Sequence, residues 1–414
     1  MSILTTYSSV TVRRWPSVAV AVCAVILFVP GAGLAQESRL AVIAAQQAAK
    51  AAQLVPESDS KGERKFVRFK DHYLNAPTAV YPALGSVMGG GGITAGLGFR
   101  YAASDTTTFL VKGLWSLKNY KQVDVDMISS GLASGRVDLT VSAGWKDATQ
   151  VAFHGIGMDP AAAAPIATHG RADYRLKDTW ARGDVSVRPM GVFRVGGGVG
   201  FDRFDVGRGT GAKPALEDVY SPAQAPGIDE EHNYIHVNGT AGLDWRPSPG
   251  YARRGGLYAL TLRKYHHTGD RFSFAQVDAD VVQHIPMIRE SLVFSVRGRV
   301  QSILGDDEVP FFMLPYLGSG STLRGFSSYR FRDRHSLLMS AEYRWTPNRS
   351  ALDAAIFIDS GKVASERGDL NFEGLKTSVG LGFRLHTPAA TPLRVELAKS
   401  NEGLRVVFSA AAAF

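Results

Sequence analysis

The chain is predicted to be all-β: a 16-stranded antiparallel transmembrane β-barrel, preceded by a signal peptide and a short periplasmic arm. Three observations lead there. The N-terminal residues follow the order of an export signal. From Pro82 onward, segments of about ten residues alternate apolar and polar between turn-type residues. Short connections between those segments alternate with long ones, as short periplasmic turns and long outer loops require.

Taking the elements in order, Arg13 and Arg14 precede an apolar run from Val18 to Val29, followed by Pro30, Gly31, Gly33, Leu34 and Ala35. Residues 1–35 are therefore expected to form a signal peptide cleaved after Ala35. Elsewhere no segment approaches the roughly 18 apolar residues that a membrane helix needs. Cys23 lies within the signal, which would leave the mature chain with neither a disulfide nor a thiol nucleophile. Residues 36–80 form the expected arm. Its first part, ESRLAVIAAQQAAKAAQL, reads as a short helix or a disordered leader. Its second, GERKFVRFKDHY, is basic with interleaved aromatics; in an exported chain this suits a membrane surface, and no nucleic-acid partner is expected. Loss of Arg13 and Arg14 takes the net charge from +8 to +6, a basic excess suited to anionic headgroups and lipopolysaccharide.

Residues 81–414 are expected to be the barrel, with Pro82 to Met88 as its first short strand. In GITAGLGFRYA, Thr94, Gly96, Gly98 and Arg100 alternate with Ile93, Ala95, Leu97 and Phe99. The same alternation continues to the final LRVVFSAAAAF and brings the count to 16, the even number that places both ends in the periplasm. Between Phe272 and His284, Gln276, Asp278 and Asp280 share the inner face; in the next strand Ser295, Arg297, Arg299 and Gln301 do so. A turn centred near Ile288 would set Asp280 opposite Arg297 and Asp278 opposite Arg299, forming a charge ladder within the lumen. A charge on the lipid face would instead cost about 2–4 kcal/mol near the bilayer midplane, which is the physical cause of the alternation. A soluble β-sandwich also alternates, but it leaves both the export signal and the uncovered apolar faces unexplained. The terminal Phe414 supplies the aromatic that ends many outer-membrane barrels and serves as their insertion signal.

The long connection from Leu304 to His335 has a distinctive centre. Gly318, Gly320 and Gly325 permit tight turns around Leu323-Arg324-Gly325-Phe326. In the two strands that follow, Glu342 shares the inward face with Ser340 and Arg344, and Asp359 shares it with Asp353, Ala355 and Phe357. This loop and strand pair closely resembles that of the BamA/TamA-type bacterial surface antigen family. The resemblance implies a long loop folded inward into the lumen, where Arg324, followed by Gly325 and Phe326, pairs with Glu342 and Asp359. It further implies protein insertion or translocation at the outer membrane. The implied partners are outer-membrane lipid and lipopolysaccharide, the outer-membrane assembly machinery for the chain's own insertion, and a polypeptide client or periplasmic partner. Members of that family generally carry folded periplasmic domains before the barrel; residues 36–80 are too few for one, so a barrel without them is expected. The alternative is a porin-like or structural barrel without protein-transport activity.

No enzymatic activity, cofactor or metal is expected. The run Val195-Gly196-Gly197-Gly198-Val199-Gly200 lacks the strand-turn-helix context of a dinucleotide site. His266 and His267, being adjacent, point to opposite faces of a strand. GSGST is not the G-x-S-x-G elbow of a serine hydrolase.

Overall fold

Alternating side chains commit a segment to a strand with one wet and one apolar face, and such strands bury their backbone only by pairing on both edges. The computed structural model describes residues 78–159, 171–228, 230–288, 291–347, 351–387 and 390–409. The predicted signal peptide, most of the arm and Phe414 lie outside the described residues.

The strands are β1 (Ala79–Gly85), β2 (Thr94–Ala102), β3 (Thr107–Ser116), β4 (Lys121–Gly131), β5 (Val137–Phe153), β6 (Ala172–Val187), β7 (Phe193–Arg208), β8 (Glu231–Asp244) and β9 (Gly255–His267). They continue with β10 (Phe274–Pro286), β11 (Leu292–Leu304), β12 (Tyr316–Leu317), β13 (Phe331–Arg332), β14 (His335–Trp345), β15 (Leu352–Ala364), β16 (Lys376–Leu385), β17 (Leu393–Ser400) and β18 (Gly403–Ser409). Setting aside β12 and β13, which form a separate two-stranded sheet, they form one 16-stranded antiparallel sheet in chain order, curled into a nearly closed barrel. Among the described residues no ladder joins β1 to β18. The wall is uneven in height. β5 has 17 residues and β1 and β18 have seven each, so at 3.4 Å per residue the strands run for about 58 Å and about 24 Å.

The outward face carries the apolar band. Leu97, Phe99, Ile356, Leu381, Phe383 and Val406 are all well exposed, as residues covered by acyl chains must be in the protein alone. Leu381 sits mid-strand between Ile356 and Leu397 on its neighbours. Leu381→Arg is therefore expected to destabilise the barrel by about 2–4 kcal/mol, read as a lowered urea midpoint in lipid vesicles. The inward face is polar through most of the wall. At the outer ends of β5 to β10 it becomes apolar, and Phe153, Tyr174, Leu176, Tyr234 and Phe274 pack there against Leu216, Ile228, Phe311 and Tyr329 from the outer loops. These loops cap the lumen with a hydrophobic core.

Two sequence expectations are corrected. The first strand spans Ala79–Gly85 rather than Pro82 to Met88; the glycine run Gly89 to Gly92 draws residues 86–93 into the hairpin connection instead of leaving them for the strand. The ladder between β10 and β11 also runs in a different register. Asp280 lies directly opposite Arg299, and Asp278 opposite Gln301, because the turn is centred one position beyond Ile288. The glycine run 196–198 falls within β7, where an added Cβ at Gly198 would collide with Asp184 and one at Gly200 with His236. These glycines make room for lumen side chains of the neighbouring strands.

Candidate functional site

The loop between β11 and β14, residues 305–334, turns inward rather than out into solvent. Its stem is the short pair β12–β13, joined through Tyr316 with Arg332 and Leu317 with Phe331. Gly318 leaves the stem with φ 97, a conformation suited to glycine, and a Cβ there would lie 2.2 Å from the Ser327 carbonyl oxygen. The loop closes on itself: the Gly318 amide donates to Thr322 Oγ1 at 3.0 Å and the Tyr329 amide to the Gly318 carbonyl at 2.8 Å. Leu323 and Phe326 anchor the tip in an apolar cluster with Leu317, Phe331, Leu338 and Val363. Both neighbours of the Arg324-Gly325 pair are thus fixed by packing, and Arg324 is left pointing at the wall.

Arg324 meets three carboxylates there. Its Nε and Nη2 donate to the two oxygens of Asp359 at 2.8 and 2.7 Å. Its Nη1 donates to Glu342 at 3.2 Å and to Glu396 at 3.0 Å. The guanidinium carbon lies 3.3 Å from the centroid of the Phe357 ring. Two more arginines complete the group. Arg384 donates to both oxygens of Glu342 and reaches Glu396 at 3.1 Å. Arg394 lies 3.6 Å from Glu396 and donates to the Gly320 carbonyl at 2.6 Å. All six side chains are at most 2 % exposed. Three guanidinium groups and three carboxylates balance in a dry site, which is the condition for burying ionic groups at tolerable cost. The planar guanidinium of Arg324 suits the position, since it satisfies several acceptors while remaining charged.

Gly325 is where the loop comes closest to the wall. Ser400 Oγ donates to its carbonyl at 2.8 Å, and the Cβ atoms of Ser378 and Ser400 stand where a side chain would have to go. Further contacts hold the tip to the last strands: Arg405 Nη1 donates to Ser327 Oγ at 3.1 Å, and Arg330 Nε to Glu402 at 2.5 Å.

Among the residues singled out from the sequence, Arg324, Gly325, Phe326, Glu342 and Asp359 come together in this one site. Asp278, Asp280, Arg297 and Arg299 form a separate pair of ion pairs on β10 and β11. Arg297 bridges both oxygens of Asp280 at 2.8 and 2.7 Å, and Arg299 both oxygens of Asp278 at 2.9 and 2.6 Å. With the register shifted, these bonds run diagonally across the ladder, which long arginine side chains can span. Glu396, Arg384 and Arg394 escaped the sequence reading. Their signal was the parity already used for β14 and β15: Arg384 alternates with outward Phe383 and Leu385, and Arg394 and Glu396 with outward Val395 and Leu397.

Residues 248–408, which include the loop and every member of the site, match the Omp85 superfamily domain. No curated protein sequence matches the chain. Among solved structures, BamA from Haemophilus ducreyi lacking POTRA domains 1–3 superposes with a TM-score of 0.58 at 13% identity, over 80% of this chain and 70% of that one. CdiB from Acinetobacter baumannii gives a TM-score of 0.50 at 11% identity, over 80% of this chain and 58% of that one. At these identities the likeness is one of fold.

Proposed function

We propose that this barrel, which carries an Omp85 superfamily domain, acts at the outer membrane in the insertion or translocation of polypeptides. The observation that carries the reading is the seam. β1 and β18 are short, and among the described residues neither is laddered to the other. Unpaired N–H and C=O groups are costly in hydrocarbon, and a strand edge is a template for an added strand. Pro82, which has no N–H to donate, lies in β1, as befits a strand at an edge. The inward loop braces the other side of the seam through Arg405 and Glu402, so one edge is held while it awaits a partner. The partner in this reading is an extended segment of a client polypeptide. Outer-membrane lipid and lipopolysaccharide surround the apolar band, and the chain's own insertion relies on the assembly machinery.

Depletion of the protein followed by quantitative outer-membrane proteomics tests this. A defined subset of outer-membrane or secreted proteins should fall. An unaltered proteome, together with a large steady conductance of the purified protein in planar bilayers, would instead make it a solute pore.

A further inference from the structure

The connection between β8 and β9, residues 245–254, lies at the same end of the barrel as the chain's periplasmic turns and yet has a buried interior. Surface turns normally leave their side chains and carbonyls in water. Here Tyr251 and Ala252 are only 5% and 4% exposed. Pro247 and Pro249 stiffen the turn, and its short 3-10 segment, Pro249–Tyr251, is bonded to the far wall. The Tyr251 hydroxyl donates to both oxygens of Asp353 at 2.8 and 3.1 Å. Its ring stacks on His386 at 4.0 Å with an interplanar angle of 5°, and the Arg344 guanidinium lies 4.9 Å from its centroid. The turn's carbonyls are received as well: Thr391 Oγ1 donates to Gly250 O at 3.2 Å and Arg344 to Ala252 O. Arg253 reaches Thr346 Oγ1 at 3.2 Å, and that hydroxyl donates in turn to Asp353 at 2.6 Å.

These receiving groups belong to β14 and the turn after it, to β15 and to the turn after β16. None of those elements is a sheet neighbour of β8 or β9, so the turn crosses part of the mouth rather than hugging its own hairpin. Its anchors also stand next to the Arg324 site. On β14 the inward residue after Glu342 is Arg344. On β15, Asp353, Ala355, Phe357 and Asp359 follow one another along the lumen face. Asp353 is fully buried although it lies one residue from the periplasmic end of its strand.

We infer that residues 245–254 form a strap, latched by Tyr251 onto Asp353, His386 and Arg344, which closes the route from the periplasm to the Arg324 site. The capping loops and the inward loop seal the lumen from outside; the strap is an independent closure from below, on the same two strands. It must release before a periplasmic molecule can reach the lock.

Ala355 provides the probe, since it is buried on the lumen face between the strap's anchor Asp353 and the Arg324 partner Asp359. In the full chain carrying Cys23→Ser and Ala355→Cys, reconstituted in vesicles, the labelling rate with a charged, membrane-impermeant thiol reagent added on the periplasmic face is measured. Labelling should be slow with the strap intact. Tyr251→Phe keeps the stacking and loses the bonds to Asp353, and should raise the rate by about tenfold, as for loss of a hydrogen bond to a charged group. Tyr251→Ala should raise it further. If Tyr251→Ala fails to fold, judged by heat-modifiable migration, Tyr251→Phe alone decides the matter. Fast labelling with the strap intact, or rates unchanged by a folded Tyr251 variant, overturns the inference.

Discussion

Arg324→Ala should destabilise the barrel by about 3–5 kcal/mol, the range for removing one member of a buried ionic group. The loss is not shared evenly among the three acids. Glu342 keeps Arg384, and Glu396 keeps Arg384 and Arg394. Asp359 is fully buried, and the two side-chain bonds it receives from Arg324 both vanish. Most of the cost therefore sits on one carboxylate, which loses its cation and keeps the residue-324 amide at 3.3 Å. Arg324→Ala combined with Asp359→Asn should recover part of the lost stability, since an amide is far cheaper to bury than an unpaired charge. Arg324→Lys should fall between, because an ammonium cannot bridge both Asp359 oxygens in the plane of the carboxylate. Urea midpoints in vesicles rank the four proteins. Equal midpoints for Arg324→Ala and the parent would mean that the loop rests against the wall without locking it.

Gly325→Ala tests the fit of the same loop without touching a charge. The added methyl would lie 2.5 Å from Ser378 Cβ, 3.0 Å from Ser400 Cβ and 3.1 Å from the Lys399 carbonyl carbon. Backbone and Cβ atoms of paired strands cannot give way as the far end of a long side chain can, so the loop itself must back off. Overpacking of this kind costs about 1–3 kcal/mol, and the displaced tip should also lengthen the Arg324 bonds. Ser378→Gly removes the closest atom, and the double variant should regain a substantial part of the loss. That coupling is the signature of direct contact. Additive effects in the double-mutant cycle would place the strain elsewhere.

The barrel was legible because membrane strands repeat one simple pattern: each second residue faces lipid, and a misplaced charge is penalised at once. Glu342, Asp359, Arg344 and Asp353 were assigned to the inner face by parity alone, and all four are buried within the structure. Register was not legible in the same way. Parity is unchanged when a ladder slides by two residues, so the alternation around Asp278 to Arg299 was equally consistent with the register first expected and with the one observed. Partners supplied by distant elements were harder still. Nothing in RPSPGYARR reveals which wall Tyr251 will reach, because a turn's sequence encodes its local bend and not what lies across the lumen. The meeting of Arg324 with Glu396, 72 residues apart, depends on the curl of the whole sheet.

That separation has a consequence for the order in which the molecule can be built. Arg324 finds Glu342 and Asp359 as soon as β14 and β15 have paired, but Arg384, Arg394 and Glu396 arrive only with β16 and β17. Until β16 arrives, the arginine faces two acids without the second cation that balances them, in a half-built wall still open to water. The charges balance once β16 adds Arg384, but the site is complete only when the penultimate strand has brought Arg394 and Glu396. A chain without its last hairpin therefore lacks Glu396, Arg394, Glu402 and Arg405 together, and with them the bonds that tie Arg324, Gly320, Arg330 and Ser327 of the loop to the wall.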